Sequence, residues 1–531
     1  MRTSTACFAC RSRRKKCIFR SNDAVCIPCR ERDLKCSGPR LRGPPISRHE
    51  LAARTVASEV YKPTVQTSLD LPTPLVLEIV GLYFDLIHDQ FHTLFHRPSF
   101  TDAVTRGKAP LVVLYAMLAL SARFSTHSAF KNSCLWDRSS EYAKESSRLL
   151  DIGDVSLSTI QACILLGTVS RSEGDAAAES VYYSVASRMA TLLDLMNMPA
   201  NNAADKEVNV RVWWTIWKLD TWSSAGLGLP RQMIESNDAP LPIAEAYFLG
   251  LRTDSSAHSK VDPLSDMSTS LYAQMIILNR ILIDINDFHK FLISNQSSSN
   301  SLERHEQTIQ HLFQKLETWR SSLPPHVRNT AENLHHFGTQ GLGRVFVAVH
   351  LGYYHFGQLL FYQYLHKCQD PASGNGPSYR YAETCKSFSS QLCELVNQSH
   401  RIPGCNVLYT MVGHNLVVAS TIQIHTLLFS GSETEIRDAR DRLERNFEIL
   451  LQLRNFWPVL EISFEAFRKF REACWRDMDT AFKMDDWMLR FLYGFANKVE
   501  DKQVYELAAG GTWPVEDIGF SPSEWMDQSS T

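Results

Sequence analysis

Cys7-Phe-Ala-Cys10-Arg11-Ser-Arg13-Arg14-Lys15-Lys16-Cys17 is followed, after an eight-residue gap, by Cys26-Ile-Pro-Cys29 and then Cys36. The spacing is Cys-x2-Cys-x6-Cys, written twice. Each half places a Cys-x2-Cys pair at the start of a short helix and a third cysteine just past its end. Six thiolates cannot supply two separate tetrahedral zinc sites, which need eight ligands. Two zinc ions each reach four sulfurs if two cysteines bridge both, and the internal symmetry gives the bridges to Cys7 and Cys26. The basic residues between the second and third cysteines lower thiol pKa values and favour the deprotonated ligands that zinc needs. So short a segment has almost no apolar core, so metal binding and folding are expected to be one event. A disulfide knot is the alternative. It requires secretion, and no apolar signal segment opens the sequence.

This spacing, with its basic run, resembles the fungal Zn(2)-Cys(6) binuclear cluster transcription factors. The resemblance implies that the first half-motif enters the DNA major groove and meets a CGG-type triplet. It puts the guanine-reading position on Arg14, with Arg13 beside it. The family commonly has Lys there, and Arg offers guanine O6 and N7 a planar fork. Arg11, Lys15, Lys16 and Lys35 read as phosphate contacts, which fix register without reading sequence. The loop from Ile18 to Val25 departs from the family in lacking a proline before the fourth cysteine.

The 531 residues exceed one compact domain, and the formal charge of −2 is unevenly spread. Residues 1–50 hold 13 Lys or Arg against 4 Asp or Glu, which makes them +9 and leaves −11 on the remainder. A basic head on an acidic body is the electrostatic footprint of a polyanion binder confined to one end. The other seven cysteines share no spacing and read as reduced thiols of a nuclear or cytosolic protein. The stretch Ala109 to Leu120 is too short to span a bilayer, so a soluble protein with no membrane partner is expected.

Residues 37–70 read as a linker marked by Gly38, Pro39, Gly43, Pro44 and Pro45. Ile46, Ala53, Val56 and Val60 sustain no heptad, so this segment supplies no argument for dimerisation. From about Pro72, apolar residues recur at helical spacing. Leu75, Ile79, Leu82, Tyr83 and Leu86 form one stripe. Leu111–Phe124, Leu157–Val169, Tyr182–Leu195 and Val208–Trp222 follow. Later helical stretches are Ser268–Ile293, Leu302–Ser321, Gly343–His366, Glu383–His400, Val407–Leu428, Glu433–Asn455 and Asp485–Asn497. The expected fold is a small Zn2Cys6 head (1–36) followed by a large all-α regulatory domain (71–365) with a helical extension (366–502). A flexible linker and a tail (503–531) complete the layout.

The helical body also carries family words. Tyr83-Phe84 and Leu94-Phe95-His96-Arg97-Pro98-Ser99-Phe100 resemble the opening of the regulatory domain that accompanies fungal zinc clusters. Gln161-Ala-Cys-Ile-Leu-Leu, Arg211-x-Trp213-Trp214, Gly228-Leu-Pro230, Leu316-x2-Trp319 and His350-Leu-x-Tyr-Tyr-His355 follow in the same order. His88, His92 and His96 read as packing and turn residues, with a three-imidazole metal site as the alternative. Trp213, Trp214, Trp217 and Trp222 read as core, with a ligand pocket as the alternative. Arg211 and Asp220 are expected to satisfy polar groups around them.

No Gly-x-Ser-x-Gly, Gly-x4-Gly-Lys or His-Glu-x2-His occurs, so no enzyme is expected. The tail has five acidic and no basic residues around Trp513, Phe520 and Trp525, a composition suited to a coactivator groove, with a merely disordered C-terminus as the alternative. The expectation is a zinc-dependent, sequence-specific regulator of RNA polymerase II transcription in the nucleus, holding two zinc ions. Its expected partners are double-stranded DNA and coactivators, with a homodimer and a small-molecule inducer as family-implied additions. The alternatives are a zinc-buffering protein and, behind it, an enzyme with an appended metal module.

Overall fold

A computed structural model describes residues 17–18, 25–32, 36, 73–235, 239–252, 269–294, 302–367, 377–430, 432–494 and 497–502. Cys7, Cys10, Arg11, Arg13, Arg14, Lys15, Lys16 and Lys35 lie outside the described residues, as do the expected linker and tail. The chain divides into two units, Met1–Lys62 and Pro63–Thr531.

The first unit contains one described helix, α1 (Ile27–Arg30). Cys26 is its N-cap and Pro28 stands in its first turn, where a missing N–H costs nothing.

The named secondary-structure elements of the second unit are all helices among its described residues, as the spacing predicts. Its first helices are α2 (Thr73–Leu86), α3 (Arg97–Thr105), α4 (Leu111–Ser121), α5 (Asp137–Leu149), α6 (Leu157–Ser172), α7 (Ala176–Leu193), α8 (Ala203–Leu227) and α9 (Glu245–Leu249). Then come α10 (Leu271–Ser294), α11 (Leu302–Ser322), α12 (Ala331–Thr339), α13 (Gly343–Phe361), α14 (Tyr364–Lys367) and α15 (Pro377–Arg401). The last are α16 (Thr410–Phe429), α17 (Glu433–Phe456), α18 (Leu460–Arg476), α19 (Met478–Ala481) and α20 (Asp486–Tyr493). Short polar side chains start several of them. Ser156 accepts from Thr159 N, Asp175 from Ala178 N and Asn202 from Asp205 N, which satisfies first-turn donors of α6, α7 and α8. Gly228 ends α8 in the left-handed region at φ 67°, which costs little without a Cβ.

Helix α4 packs on α5 and α6, and α6 on α7. Further along, α13 lies against α10 and α15, and α16 against α15, α17 and α18. One large core runs through all of these. Helix α16 is long and apolar enough to cross a membrane by length and composition, and most of it is buried in this core.

Between α2 and α3, residues 87–96 are irregular yet almost entirely buried. A buried loop needs partners for its backbone, and here side chains provide them. His88 Nε2 accepts from Leu94 N (3.0 Å) and Phe95 N (3.2 Å). Thr215 Oγ1 accepts from Thr93 N and donates to Thr93 O, both at 3.1 Å. Gln161 Nε2 donates to Leu94 O at 2.8 Å. Asp89 takes a left-handed φ of 67°, and the backbone pairs His88 with His92. Because α2 stops at Leu86, the three histidines do not stack on a helix face.

Candidate metal centre and core side chains

The sulfurs of Cys26, Cys29 and Cys36 lie within 4.8 Å of one another. A tetrahedral zinc with bonds of about 2.3 Å sets its sulfurs about 3.8 Å apart, so this half-motif fits such an ion. Helix α1 presents Cys26 and Cys29 side by side, and both are buried. Cys36 returns past the helix end, where its sulfur accepts from Cys26 N at 3.4 Å. Such a bond stabilises a thiolate. Cys17, the last cysteine of the first half, packs against the same group, as does Val25. Ile27 N donates to Ile18 O (2.9 Å), which ties the ends of the proline-free loop together. Arg30 and Arg32 stand exposed beside the cluster. Among the described residues, this is the one group of three or more His, Cys, Asp or Glu close enough to hold a metal.

The remaining described cysteines behave differently. Cys163, Cys385, Cys393, Cys405 and Cys474 are buried in the helical unit, and Cys134 is exposed. Burial pushes the Cys163 and Cys474 thiols up to about 12, so they stay protonated and inert.

The three histidines of residues 87–96 each have structural work. His88 accepts through Nε2, so its proton sits on Nδ1, which faces Asp89 Oδ1 at 2.9 Å. Tyr83 OH lies 2.9 Å from His92 Nε2, and Ser99 Oγ 2.6 Å from His96 Nδ1. Burial, ahead of the charges of His88 and Lys218, pushes the His92 imidazole well below its usual range.

The tryptophans of α8 are core. Trp214 and Trp217 meet edge to face at 5.4 Å, and Trp214 Nε1 donates to Pro240 O at 2.8 Å. Trp222 Nε1 donates to Asn279 Oδ1 at 2.7 Å. Asp220 Oδ2 accepts from Gln232 N and Met233 N at 2.7 and 2.8 Å, which pins the chain after Gly228-Leu-Pro230. Arg211 donates to Glu207 Oε1 (2.9 Å) and Ile243 O (2.6 Å). Both residues satisfy buried polar groups, as expected. Trp222 also lines an interior cavity with Lys218, Gln90, His355 and Asn415. Of these four polar residues only His355 was marked in the sequence, as part of a family word and not as a cavity residue. The available signal was Lys218, a lone cation in the tryptophan-dense face of a helix.

A family profile described as a fungal specific transcription factor domain matches residues 80–321. An uncharacterized transcriptional regulatory protein of Schizosaccharomyces pombe is 26% identical over 325 residues, covering 55% of this chain and 32% of its own length. Activator of stress genes 1 of Saccharomyces cerevisiae is 26% identical over 398 residues, covering 67% of this chain and 38% of its own. The Zn(2)-C6 fungal-type transcription factor FTF1c of Fusarium oxysporum f. sp. lycopersici is 23% identical over 439 residues, covering 75% and 46%. The chain therefore spans about a third to a half of the length of these relatives. No solved structure matches it. Residues 80–321 are thus similar to a fungal specific transcription factor domain, they follow a cysteine cluster in the sequence, and the relatives of the chain include Zn(2)-C6 fungal-type transcription factors.

Proposed function

We propose that the chain is a zinc-dependent, sequence-specific DNA-binding regulator of RNA polymerase II transcription that acts in the nucleus. The observation that carries this reading is the convergence of the Cys26, Cys29 and Cys36 sulfurs around a four-residue helix. Cys7, Cys10 and Cys17 would complete the ligand set, with Cys7 and Cys26 shared between two zinc ions. Bound zinc supplies the cross-link that a segment without an apolar core needs in order to hold one shape. The cysteines hold it as thiolates, and the surrounding cations offset their charge.

On this reading Arg14 and Arg13 meet the guanines of a CGG-type triplet in the major groove. Arg11, Lys15, Lys16 and Lys35 hold phosphates. The +9 head gives sequence-independent attraction that falls steeply with salt, and base contacts add the preference. The helical unit (71–365 with its extension to 502) would control output in response to a small-molecule inducer. Residues 503–531 would recruit coactivators, and a homodimer would read two triplets. A metabolic pathway or gene cluster is the family-implied target.

The test is a salt-titrated mobility-shift assay on the full chain, with CGG-containing and random duplexes of equal length, with and without a zinc chelator. The reading expects about two zinc ions per chain, CGG preference that survives moderate salt, and loss of that preference on chelation. Equal affinity for both duplexes, or binding untouched by chelation, would refute it.

A further inference from the structure

One interior cavity of the helical unit has a polar lining that packing alone does not explain. It lies between residues 87–96, α8, α10, α13 and α16. Its volume is about 40 Å³. Roughly 10–15 Å³ on this measure admits one water, so a molecule of about four to six bonded heavy atoms fits.

Buried Lys218, His355, Gln90 and Asn415 line it, together with Tyr409 and with Asn279, whose amide is already paired with Trp222 Nε1 and Met275 O. Lys218 Nζ makes its hydrogen bond to a thioether, Met275 Sδ, at 3.0 Å. Three buried arginines are treated otherwise. Arg123 faces Glu173, Arg171 faces Glu179, and Arg211 faces Glu207 and Glu245. Lys218 has no carboxylate within ion-pair distance among the described residues. His355 Nδ1 accepts from Gln358 Nε2 at 2.9 Å, so the neutral ring carries its proton on Nε2. That Nε2 has no hydrogen-bond partner among the described residues, nor have Gln90 Oε1 and Asn415 Oδ1. The lining thus offers two donors, Lys218 Nζ and His355 Nε2–H, and two acceptors, Gln90 Oε1 and Asn415 Oδ1. Trp222, stacked on His355 at 6.1 Å, closes one wall.

We propose that this cavity binds a small aliphatic hydroxycarboxylate. Its carboxylate accepts from Lys218 and His355, and its hydroxyl donates to Asn415 or Gln90. The anion supplies the counter-charge that the three arginines receive from glutamates. The chemistry excludes large or apolar effectors, because the space is small and each unpartnered atom requires a hydrogen bond. Binding would tie residues 87–96 and α8 to α16, elements far apart in the chain. The site stands apart from the cysteine cluster, so its failure leaves the DNA-binding reading untouched, and the converse holds.

The test uses the full zinc-loaded chain, with thermal unfolding and isothermal titration against acetate, glycolate and lactate, and against glycolamide as the uncharged analogue. Glycolate or lactate should raise the unfolding temperature saturably, and glycolamide should bind about tenfold or more weakly, having lost a charged hydrogen bond. Lys218→Met should weaken glycolate binding by about tenfold or more. A second variant guards against misfolding. A Cβ on Gly352, which lines the cavity, meets only Phe356 and Leu278 atoms at 3.8 Å and beyond. Gly352→Ala should therefore fold as well as the parent and still lose glycolate affinity by about fivefold, because it fills the ligand's space. Absence of saturable stabilisation by all three carboxylates would overturn the proposal. So would unchanged glycolate affinity in well-folded Gly352→Ala.

Discussion

Replacing Lys218 with methionine should make the protein more stable at slightly acid pH, and the pH profile of that gain is predictable. Lys218 is 2% exposed, and Met275 Sδ is a weak acceptor for an ammonium. Burial pushes its pKa down to about 7 from an ordinary 10.5, with Asp89 raising it and Arg171 lowering it further. The unfolded chain therefore binds the proton more tightly than the folded one. Between about pH 7 and 10.5 the unfolded state holds a proton that the folded state has released, so stability rises with pH through that window. Below about 7 both states carry it, and the full cost of the buried charge is present. At about 1.36 kcal/mol per pH unit, the cost is on the order of 5 kcal/mol. Water entering the adjacent cavity screens the charge, so this is an upper bound. Methionine keeps the length and loses the charge, so Lys218→Met should gain about 2–5 kcal/mol at pH 6. The gain should shrink steadily towards pH 10. Urea unfolding of both proteins at pH 6, 7, 8, 9 and 10 measures it, and the difference between the curves cancels titrating groups that do not interact with Lys218, leaving its neighbour His92 to contribute at the acid end. A variant less stable than the parent at pH 6, or a difference flat across the series, would refute the argument that the folded chain strains to keep this ammonium charged.

Other perturbations have equally definite signs. Arg14→Ala should cost about 1–3 kcal/mol on a CGG duplex and relax triplet preference, whereas a uniform loss on all sequences would assign Arg14 to phosphate. Cys26→Ser removes a shared ligand, so metal analysis should find fewer than two zinc ions and DNA recognition should disappear; retention of both ions would exclude the bridging assignment. Gly357→Ala drives a methyl into the Phe388 ring, where α13 and α15 meet without a Cβ between them. Overpacking of this kind costs about 1–3 kcal/mol, read as a lower urea midpoint, and no loss would show that Phe388 has room to turn.

Much of the helical scaffold was legible because its signals are local. The interval Leu157–Val169 lies inside α6, whose cap Ser156 directly precedes the apolar run. Helix α18 escaped notice for the opposite reason. Its buried stripe is Leu460, Ser463, Ala466, Phe470, Ala473 and Cys474, mostly small residues, while Ile462, Phe464 and Phe467 are only partly buried, so its apolar residues do not fall into one stripe. Gly343–His366 reads as one helix, but the structure turns at Tyr362, whose buried hydroxyl meets Thr421 Oγ1 at 2.9 Å. The convergence of the second half-motif's cysteines was readable because a Cys-x2-Cys pair on one helical turn leaves few geometries. Residues 87–96 were not readable as a buried loop, since Gln161 and Thr215, which complete their backbone bonding, are about 70 and 120 residues away in the chain. The cavity draws on five separated elements, and only Lys218 looks out of place within its own segment.

The residues matched by the family profile end at 321, yet the chain beyond them returns to complete the core. Arg123, buried after α4, donates to Phe456 O at 2.6 Å and lies 4.6 Å from the Trp457 ring. Trp136 Nε1 donates to Asn455 O (3.1 Å), and Val459 N to Ser172 O at the end of α6 (2.9 Å). Asn497 Nδ2 donates to Gly226 O (2.8 Å), and Tyr493 OH meets His289 Nδ1 of α10 (2.9 Å). A fragment ending at residue 365 would strand these groups and bare the apolar faces that α16, α18 and α20 cover. Losing Phe456 O alone leaves the buried Arg123 guanidinium facing Glu173 but short of one acceptor, which costs about 1–3 kcal/mol, and the other stranded groups add to it. Whole domains are stable by only about 5–15 kcal/mol. Residues 73–365 should therefore lack cooperative unfolding and near-ultraviolet circular dichroism, while residues 73–502 should show both. Cooperative unfolding of 73–365 near the temperature of 73–502 would mean that the first helices form a core of their own, and that the later ones only decorate it.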